Sequence, residues 1–433
     1  MRLTVSNNIR RLSSRQYGLL REVAYRSKNM YNAALYNIRQ DYINNKGVLK
    51  YESNYHLCKG SDAYKSMNSA TAQETMKLAS EAMSSYLELR KLHVRGDLHF
   101  RPCLPNYLGK HDFQVIRHTQ RAFVVKDNQV VLSIPGNLKA MYPDHQDLMS
   151  FEIPSQLLSV KDTIKQVHIV PCYDGRYFKI SFVYEPKQQM AELDLAKYLS
   201  IDLGVNNFAT CIDSNGTAVI IDGKYAKSLN QYYNKENARL QSIKDKQKIK
   251  PITTRQSRLI RKRENRMREF LNVTTKRLVD HCLENGIGNI VIGELKDMKQ
   301  HINLGRKTNQ KIVQMPFKKF KDKLQAKCQL AGIKFTEIDE AYTSQVDALA
   351  FDHIQKPWYG KKRRVKRGLY KSITGVLLNA DINGALNIMR KVVSDSHVKG
   401  IIDSGLVNRP GRIRLGFLDP RGSRANFSQI KLV

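Results

Sequence analysis

The amino-acid sequence predicts a multidomain α+β protein, because three consecutive parts of the chain follow three different patterns. Apolar residues recur at helical spacing through residues 11–95, and short β-rich runs broken by turn residues fill residues 96–190. From residue 196 onward, single strands alternate with long helices, which is typical of an interleaved α/β domain. The length of 433 residues suits this division, since one domain usually takes roughly 100–200 residues.

The first part is predicted to be a small helical unit. Leu19, Val23, Leu35 and Ile38 fall near helical spacing, so they mark one face of a long helix. The predicted elements are a short strand at residues 3–5, a helix over 14–43, a loop over 44–60 and a helix over 68–92.

The second and third parts differ in how their strands are connected. Turn pairs such as Asp127-Asn128 separate the β-rich runs, which favours an antiparallel barrel or sandwich. The third part is predicted to contain strands at 198–203, 208–212, 218–221, 289–292 and 334–338, and helices over 225–247, 255–286, 317–331 and 381–392. The remainder, rich in Gly, Pro, Arg and Ser, predicts a flexible tail over residues 394–433.

The charge balance predicts a polyanionic partner. The chain has 73 Lys and Arg against 39 Asp and Glu, a net charge of +34, and such self-repulsion favours binding to nucleic acid. No apolar run approaches the roughly 20 residues that a membrane span needs. The first residues lack a secretory signal pattern, so we expect a prokaryotic cytoplasmic protein without membrane contact, associated with the nucleoid when bound to DNA.

The six cysteines are too dispersed for a thiolate metal knuckle or a disulfide framework, and no Cys-x-x-Cys pair occurs. They are therefore predicted to be ordinary buried side chains.

Three carboxylates stand out because each lies on an apolar element of a basic protein: Asp202, Glu294 and Asp381. Asp202 and Glu294 each end an apolar strand, and Asp381 shares a helix face with apolar residues. A buried carboxylate needs a cation, and an oxygen-only ligand set suits Mg²⁺ or Mn²⁺. Two such ions can support phosphodiester hydrolysis. Each acid taken singly also fits an ordinary role, Asp202 in a turn and Asp381 as a helix N-cap.

The segments around these acids resemble known motifs. Ser200-Ile-Asp-Leu-Gly-Val-Asn-Asn, Val291-Ile-Gly-Glu-Leu, Tyr342-Thr-Ser-Gln and Asn379-Ala-Asp-Ile-Asn-Gly-Ala-Leu-Asn-Ile are similar to the RuvC motifs of the TnpB family. These are insertion-sequence-encoded, RNA-guided DNA endonucleases related to compact type V CRISPR effectors. The opening helix and the basic helix over residues 255–280 also resemble that family.

The resemblance implies a RuvC nuclease domain of RNase H-like fold, plus a wedge β-barrel with an inserted helical recognition unit. It also implies a guide RNA, a double-stranded DNA target with a short adjacent motif, and Asp202, Glu294 and Asp381 as the catalytic metal ligands. The implied domains are a first wedge segment (1–10), the helical recognition domain (11–95), the wedge barrel (96–190), RuvC motifs I and II (196–341), an insert (342–378), the motif III helix (379–393) and the tail (394–433).

The insert departs from the family pattern. The family's zinc module opens Thr-Ser-Gln-x-Cys-x-x-Cys, whereas here Asp347 and Ala350 take the cysteine positions and no cysteine follows residue 328. We therefore expect no zinc site. The run Lys361-Lys-Arg-Arg-Val-Lys-Arg367 predicts an insert that contacts nucleic acid, and Trp358 and Tyr359 beside it could either stack on a base or anchor an apolar cluster.

A one-sided basic segment lies at residues 244–268, with eleven Lys and Arg against two acids, which favours phosphate contact over a merely solvated face. Gln73 and Lys77, four residues apart on a predicted helix, are candidate readers of base edges in the adjacent motif. The predicted nucleic-acid contacts are Gln73, Lys77, Arg255, Arg258, Arg261, Lys262, Arg263, Lys361, Lys362, Arg363 and Arg364.

The leading hypothesis is an RNA-guided, Mg²⁺-dependent (or Mn²⁺-dependent) DNA endonuclease. The alternatives are a nuclease-weak RNA-guided repressor, a transposase acting on its own element, and a guide-independent resolvase. The presence of all three acids argues against the repressor. The sequence leaves open the guide RNA, the adjacent motif, the cut pattern and the oligomeric state.

Overall fold

The computed structural model describes residues 2–45, 47–186, 191–294, 305–356, 363–366 and 368–414. These form two compact units, one of Met1–Lys187 with Pro251–Ser257 and one of Gln188–Lys250 with Arg258–Val433. No helix among the described residues is both long enough and apolar enough to cross a bilayer.

The N-terminal unit joins a helical part to two small antiparallel sheets. Its elements are β1 (Leu3–Asn8), α1 (Ser14–Asn45), α2 (Tyr51–Cys58), α3 (Asp62–Lys65), α4 (Ser69–Val94), β2 (Ile116–Thr119), β3 (Phe123–Lys126), β4 (Gln129–Leu132), α5 (Gly136–Met141), α6 (His145–Leu148), β5 (Ser150–Glu152), β6 (Ile164–Cys172) and β7 (Tyr177–Tyr184), with a 3₁₀ helix at Ser155–Thr163.

The long helices α1 and α4 pack together through their apolar faces. Their shared core includes Met30, Leu35, Ile38 and Met83, which are all fully buried. The N-terminus of α4 is capped by Asn68, whose side chain accepts a hydrogen bond from the amide of Ala70 at 3.0 Å. The predicted helices at 14–43 and 68–92 therefore correspond to α1 and α4.

The loop predicted over residues 44–60 contains the helix α2. Asn54 explains why this short segment is helical: its buried side chain donates to the carbonyl of Ala34 at 3.1 Å and accepts from Asn37 at 3.0 Å. These partners lie on α1, so the helix depends on contacts distant in sequence, which local periodicity does not reveal.

The strands of this unit surround one apolar core. One sheet has the order β1-β7-β6-β2, and the other has the order β3-β4-β5. Asp127, with a φ of 52°, lies in the two-residue hairpin loop between β3 and β4, where the sequence predicts a turn. The first turns of α1 pack on this core through Leu19, Leu20 and Val23.

The C-terminal unit is an α/β domain. Its elements are β8 (Asp194–Leu203), β9 (Asn207–Asp213), β10 (Ala218–Asp222), α7 (Lys224–Lys246), α8 (Thr254–Glu284, which begins in the other unit), β11 (Ile287–Glu294), α9 (Arg306–Val313), α10 (Phe317–Ala331), β12 (Lys334–Asp339), β13 (Arg364–Lys366), β14 (Leu369–Lys371), β15 (Leu377–Asn379), α11 (Ala380–Arg390), α12 (Asp395–Asp403) and β16 (Gly411–Ile413), with a 3₁₀ helix at Leu406–Asn408.

The main sheet of this unit has the strand order β12-β11-β8-β9-β10-β16. β11 pairs in parallel with both β8 and β12, whereas β8, β9 and β10 form an antiparallel meander. One face of the sheet packs against α8 and α10 through residues such as Ile201, Phe270 and Phe320. The other face packs against α11 and α12 through residues such as Ile212 and Leu386.

The prediction of a flexible tail from residue 394 is wrong for residues 394–414. Ser394 caps α12 by accepting from the amide of His397, and Val398 and Ile401 of that helix are buried. β16 then adds to the sheet in parallel with β10. Local sequence patterns do not reveal these elements, because they are short, depend on the sheet they join, and lie in a segment rich in Gly and Arg. Residues 415–433 lie outside the described part of the chain.

Candidate active site

Asp202 lies near the end of β8, on the face of the sheet that α11 covers. Its neighbours Ile201 and Leu203 point to the opposite face, into the core formed with α8 and α10. Gly384 of α11 makes the close approach possible, since a Cβ at that position would lie 2.8 Å from Oδ2 of Asp202. The glycine therefore lets the helix backbone pack directly against the carboxylate.

Asp381 is positioned at the start of the same helix. The N-cap is Asn379, whose side chain accepts from the amide of Asp381 at 2.9 Å, so the alternative of Asp381 as the cap is wrong. Nδ2 of Asn207 donates to Oδ2 of Asp381 at 2.6 Å. Asn207 begins β9, and this bond ties the helix start to the sheet. Asp381 lies one turn before Gly384, so Asp202 and Asp381 are brought to one place.

The charge of Asp202 is poorly compensated. Burial raises its pKa well above the usual range, and the negative charges of Glu340 and Asp381 raise it further. The positive charge of Arg364 acts in the opposite direction. A buried carboxylate surrounded by other carboxylates is unfavourable unless a cation joins them.

Glu340 is an acidic residue that the sequence reasoning missed. It follows the end of β12, and burial raises its pKa to about 7. Its Oε1 is buried and has no hydrogen-bond partner among the described residues. The signal in the sequence was the pair Asp339-Glu340 at the end of a strand parallel to β11, but nothing local shows which of the two side chains turns inward.

Glu294 is the last residue of β11, where its Cα is in register with that of Asp339. Ile290 and Ile292, which share the side of the strand that alternation gives Glu294, belong to the core on the face opposite to Asp202. The carboxylates that act most strongly on Asp202 are those of Glu340 and Asp381. The role of Glu294 as a ligand therefore stays a prediction.

The oxygen donors here suit a divalent cation. In the described residues, no three side chains of His, Cys, Asp or Glu are already grouped to hold an ion. Mg²⁺ rarely needs such a cage, because it is usually bound by one or two carboxylates, several waters and substrate phosphates. Asp202 and Asp381 supply two carboxylates, and Glu340, whose charge acts on Asp202, has a buried oxygen without a hydrogen-bond partner among the described residues. The donor set therefore fits Mg²⁺ or Mn²⁺.

Two asparagines of α11 anchor the insert that follows β12. Nδ2 of Asn387 donates to the carbonyls of Thr343 and Val346, at 2.9 and 2.8 Å. Asn383 donates to the carbonyl of Val346 at 2.7 Å and accepts from the amide of Ala348 at 3.0 Å. Both asparagines are fully buried, so one helix carries Asp381 on the site and the anchors of the insert.

Asp347, at the first of the family's cysteine positions, organises the insert. Its fully buried carboxylate accepts from Nη1 of Arg363 at 2.5 Å and from the amides of Leu349 and Ile373 at 3.1 and 2.9 Å. The predicted nucleic-acid contact Arg363 is thus engaged within the protein. Arg364 is exposed, and Lys361 and Lys362, like Trp358 and Tyr359, lie outside the described residues.

The basic helix α8 exposes only part of its charge. Arg258, Lys262 and Arg266, each four residues from the next, are exposed; the sequence reasoning missed Arg266. Arg263 instead donates to Oδ1 of Asn230 at 2.8 Å and lies 4.9 Å from the ring of Tyr233. Two further predicted contacts of this helix are Arg261, which is half-buried, and Arg255, which is exposed.

Gln73 and Lys77 of α4 line a pocket of about 400 Å³ in the N-terminal unit. Nε2 of Gln73 is 3.3 Å from the hydroxyl of Tyr64, and Nζ of Lys77 pairs with Glu74 at 2.7 Å. The rest of the lining is mostly polar and basic, and comprises Arg2, Ala70, Glu74, Thr119, Gln120, Arg121, Lys165 and Gln166.

Two segments of the C-terminal unit are similar to families of known proteins. Residues 181–299 match the family model OrfB_IS605, described as a probable transposase, and residues 317–388 match the Cas12f1-like TNB domain. The predicted resemblance to the TnpB family is confirmed by these matches and by relatives that match most of the chain.

The TnpB-like protein ORF457 of Acidianus two-tailed virus is 24% identical over 408 residues, which cover 86% of this chain and 83% of that protein. The CRISPR-associated endodeoxyribonuclease Cas12f1 of Sulfoacidibacillus thermotolerans is 24% identical over 400 residues, which cover 82% of this chain and 86% of that protein. The cryo-EM structure of a Cas12f1–sgRNA–target DNA complex has a TM-score of 0.57 at 14% identity, and the match covers 87% of this chain and 83% of that one. The chain therefore has the mixed α+β fold of a compact Cas12 effector.

Proposed function

We propose that this protein is an RNA-guided, divalent-metal-dependent endonuclease that cleaves DNA next to a short adjacent motif. The observation that carries the proposal is that Asp202 and Asp381 lie together on one face of the main sheet. Gly384 lets α11 pack against the carboxylate of Asp202, and Asn207 holds the carboxylate of Asp381 by a hydrogen bond. Similarity to a Cas12f1 endodeoxyribonuclease over most of the chain supports the nuclease class.

We propose further that the C-terminal unit is a RuvC nuclease domain of RNase H-like fold. The three-stranded antiparallel meander β8-β9-β10, extended by the parallel strands β11 and β12, supports this assignment. The helix α11 crosses the sheet where β8 ends, and so it brings Asp381 to Asp202. The N-terminal sheets would then form the wedge barrel, with α1 to α4 as its recognition unit.

The residues of the chain hold and orient the reacting groups. Asp202 and Asp381 would bind the cations, with Glu294 as the third ligand that the motif implies. Divalent cations, when bound, neutralise the scissile phosphate and activate a water for hydrolysis. Asn207 fixes the orientation of Asp381, and Gly384 leaves the space that Asp202 occupies. No nucleophilic Ser or Tyr is required, so we expect no covalent protein–DNA intermediate.

The exposed charges of α8 support binding to the nucleic-acid backbone. Arg258, Lys262 and Arg266 form a row one helical turn apart, which suits successive phosphates of a guide–target heteroduplex. We propose that this row holds the duplex by its backbone, while base pairing with the guide RNA supplies the sequence specificity.

The pocket beside α4 is the proposed reader of the adjacent motif. Gln73 carries a donor and an acceptor on one side chain, as a base edge requires, and basic residues around it suit the flanking phosphates. Lys77 is held by Glu74 and contributes charge at the same place.

The decisive test of the proposed function is the substitution Asp202→Asn, made in the protein purified with its copurifying RNA. We expect cleavage of a matched DNA target to fall by at least about a thousandfold, because the cations lose a ligand that the reaction requires. RNA-dependent target binding, measured by gel shift, should be nearly unchanged. The matched control is Asp280→Asn, which alters a partly exposed carboxylate of α8 paired with Lys276 and should cut normally.

Cleavage at the wild-type rate by the Asp202→Asn protein would overturn the nuclease assignment. Sequencing the copurified RNA separates the remaining alternative, because a transposase acting on its own element should bind no defined guide.

A further inference from the structure

The side chain of Glu340 extends over a neighbouring strand, β11, that separates it from Asp202. Glu340 follows β12, whereas Asp202 lies on β8, and β11 runs between these two strands. The side chain of Glu340 packs directly over Gly293 of β11. A Cβ at this position would overlap the side chain of Glu340 from its Cγ to Oε1. Any side chain at position 293 would clash with that of Glu340, so the observed position of Glu340 depends on the glycine.

The backbone at Glu340 is held from two sides. The carbonyl of Glu340 accepts from both the amide and Oγ1 of Thr343, at 3.1 and 2.9 Å. Nζ of Lys391 donates to the carbonyls of Asp339 and Ala341, at 2.7 and 3.2 Å. These bonds fix the turn from which the side chain projects over Gly293, so its inward direction is built into the fold.

The charges of Lys321 and Lys391 act on this carboxylate, but neither lysine forms an ion pair with it among the described residues. Lys321 pairs with Glu337 on the same strand, and the ammonium of Lys391 is used by the two carbonyls. Oε1 of Glu340 is buried without a hydrogen-bond partner among the described residues. The side chain covers Gly293, which follows Ile292, and Ile292 is in register with Ile201, the residue before Asp202. A buried oxygen of this kind is costly unless a cation binds it.

We propose that Glu340 is an additional carboxylate of the divalent-cation site formed by Asp202 and Asp381. The inference rests on the proposed function, since it adds a residue to the same site. Glu340 would add a ligand from the end of β12 to the three acids that the sequence motifs mark. Gly293 would then be required because it leaves space for the side chain of Glu340.

The test uses Mn²⁺ alone as the probe, titrated into the full chain and followed by the electron paramagnetic resonance signal of the free ion. Glu340→Gln keeps the shape of the side chain and removes its charge, so we expect the Mn²⁺ dissociation constant to rise about tenfold or more. Asp322→Asn, which alters an exposed carboxylate of α10 paired with Lys318, is the control, and we expect it to bind Mn²⁺ as the wild type does. The thermal unfolding of each variant shows that it is folded.

A second variant moves the carboxylate without removing it. Gly293→Ala should displace Glu340 and weaken Mn²⁺ binding, but it should have no further effect in a Glu340→Ala background, where nothing remains to displace. Additive effects of the two substitutions, or wild-type Mn²⁺ affinity in Glu340→Gln, would overturn the inference.

The failure of this inference is distinguishable from that of the proposed function. If Asp202→Asn abolishes both Mn²⁺ binding and cleavage while Glu340→Gln changes neither, Glu340 is only a structural residue and the nuclease assignment stands. If the wild-type protein binds no Mn²⁺ and Asp202→Asn still cuts, both are wrong.

Discussion

At the scale of single residues, His118 shows what burial does to a group that has no part in the candidate site. It lies on β2, is fully buried, and burial lowers its pKa to about 4. The unfolded chain binds a proton at this histidine near the ordinary value of 6.5, whereas the folded chain binds it only near pH 4. The folded state is therefore favoured above pH 6.5, and this advantage is lost as the pH falls toward 4.

We expect the substitution His118→Leu to reduce the pH dependence of stability. A difference of this size between the folded and unfolded pKa corresponds to about 3 kcal/mol between pH 6.5 and 4. The measurement is urea-induced unfolding of the full chain at pH 7 and pH 5, where the readout is the change between the two pH values rather than the absolute stability. The exposed His111, replaced by Leu, is the control. An unchanged pH dependence in His118→Leu would contradict the argument.

At the scale of elements, the insert between β12 and α11 is held by an ion pair at the position where the family has a zinc ligand. Asp347 holds Arg363, sixteen residues later, together with backbone amides from both sides of the insert. Removing one partner of a buried pair leaves the other charged and unpaired, which usually costs about 3–5 kcal/mol.

We therefore expect Asp347→Ala to loosen the insert selectively. Limited proteolysis followed by mass spectrometry should detect new cleavage within residues 342–378, while the core of the sheet stays resistant. Asp352→Asn is the matched control, since Asp352 is also near Arg363, at 3.7 Å, but is one-third exposed. An insert that resists proteolysis equally in the wild type and in Asp347→Ala would show that the ion pair is dispensable.

The same insert shows where sequence reasoning stops. The absence of cysteines after residue 328 predicts that thiolates cannot hold zinc there, and that follows from composition. The partner of Asp347 cannot be predicted from composition, because a basic run is equally compatible with nucleic-acid contact. Only the fold brings Arg363 close to Asp347. Periodicity likewise predicts the long elements α1, α4 and α8, which carry many repeats, but not α12 or β16, which are short and depend on the sheet.

The candidate site follows the same rule. Asp202 and Asp381 are recognisable because each interrupts an apolar pattern, and the structure brings them together through Gly384. Glu340 is not recognisable, because it stands in a polar turn beside another acid. Its inward direction depends on Gly293 of a different strand and on bonds from Thr343 and Lys391, all of which are contacts made only in the folded chain.

At the scale of the whole molecule, the net charge of +34 makes nucleic-acid binding strongly dependent on salt, and the proposed phosphate and base contacts should differ in this respect. Replacing Arg258, Lys262 and Arg266 together with Gln should weaken binding to all target sequences alike. It should also reduce the slope of log affinity against log salt by about 2–3, near one for each lost phosphate contact. Filter binding between 50 and 300 mM KCl measures both quantities.

Gln73→Ala should have the opposite signature, because Gln73 is uncharged and is proposed to read a base edge. We expect an unchanged salt slope, and a changed preference when the bases flanking the target are randomised and the bound fraction is sequenced. Gln73 is a cleaner probe than Lys77, whose removal would leave the mostly buried Glu74 without its cation. A reduced salt slope in Gln73→Ala, or altered flanking preference in the triple Gln variant, would reverse the two assignments, because only base contacts carry sequence information and only phosphate contacts release counterions.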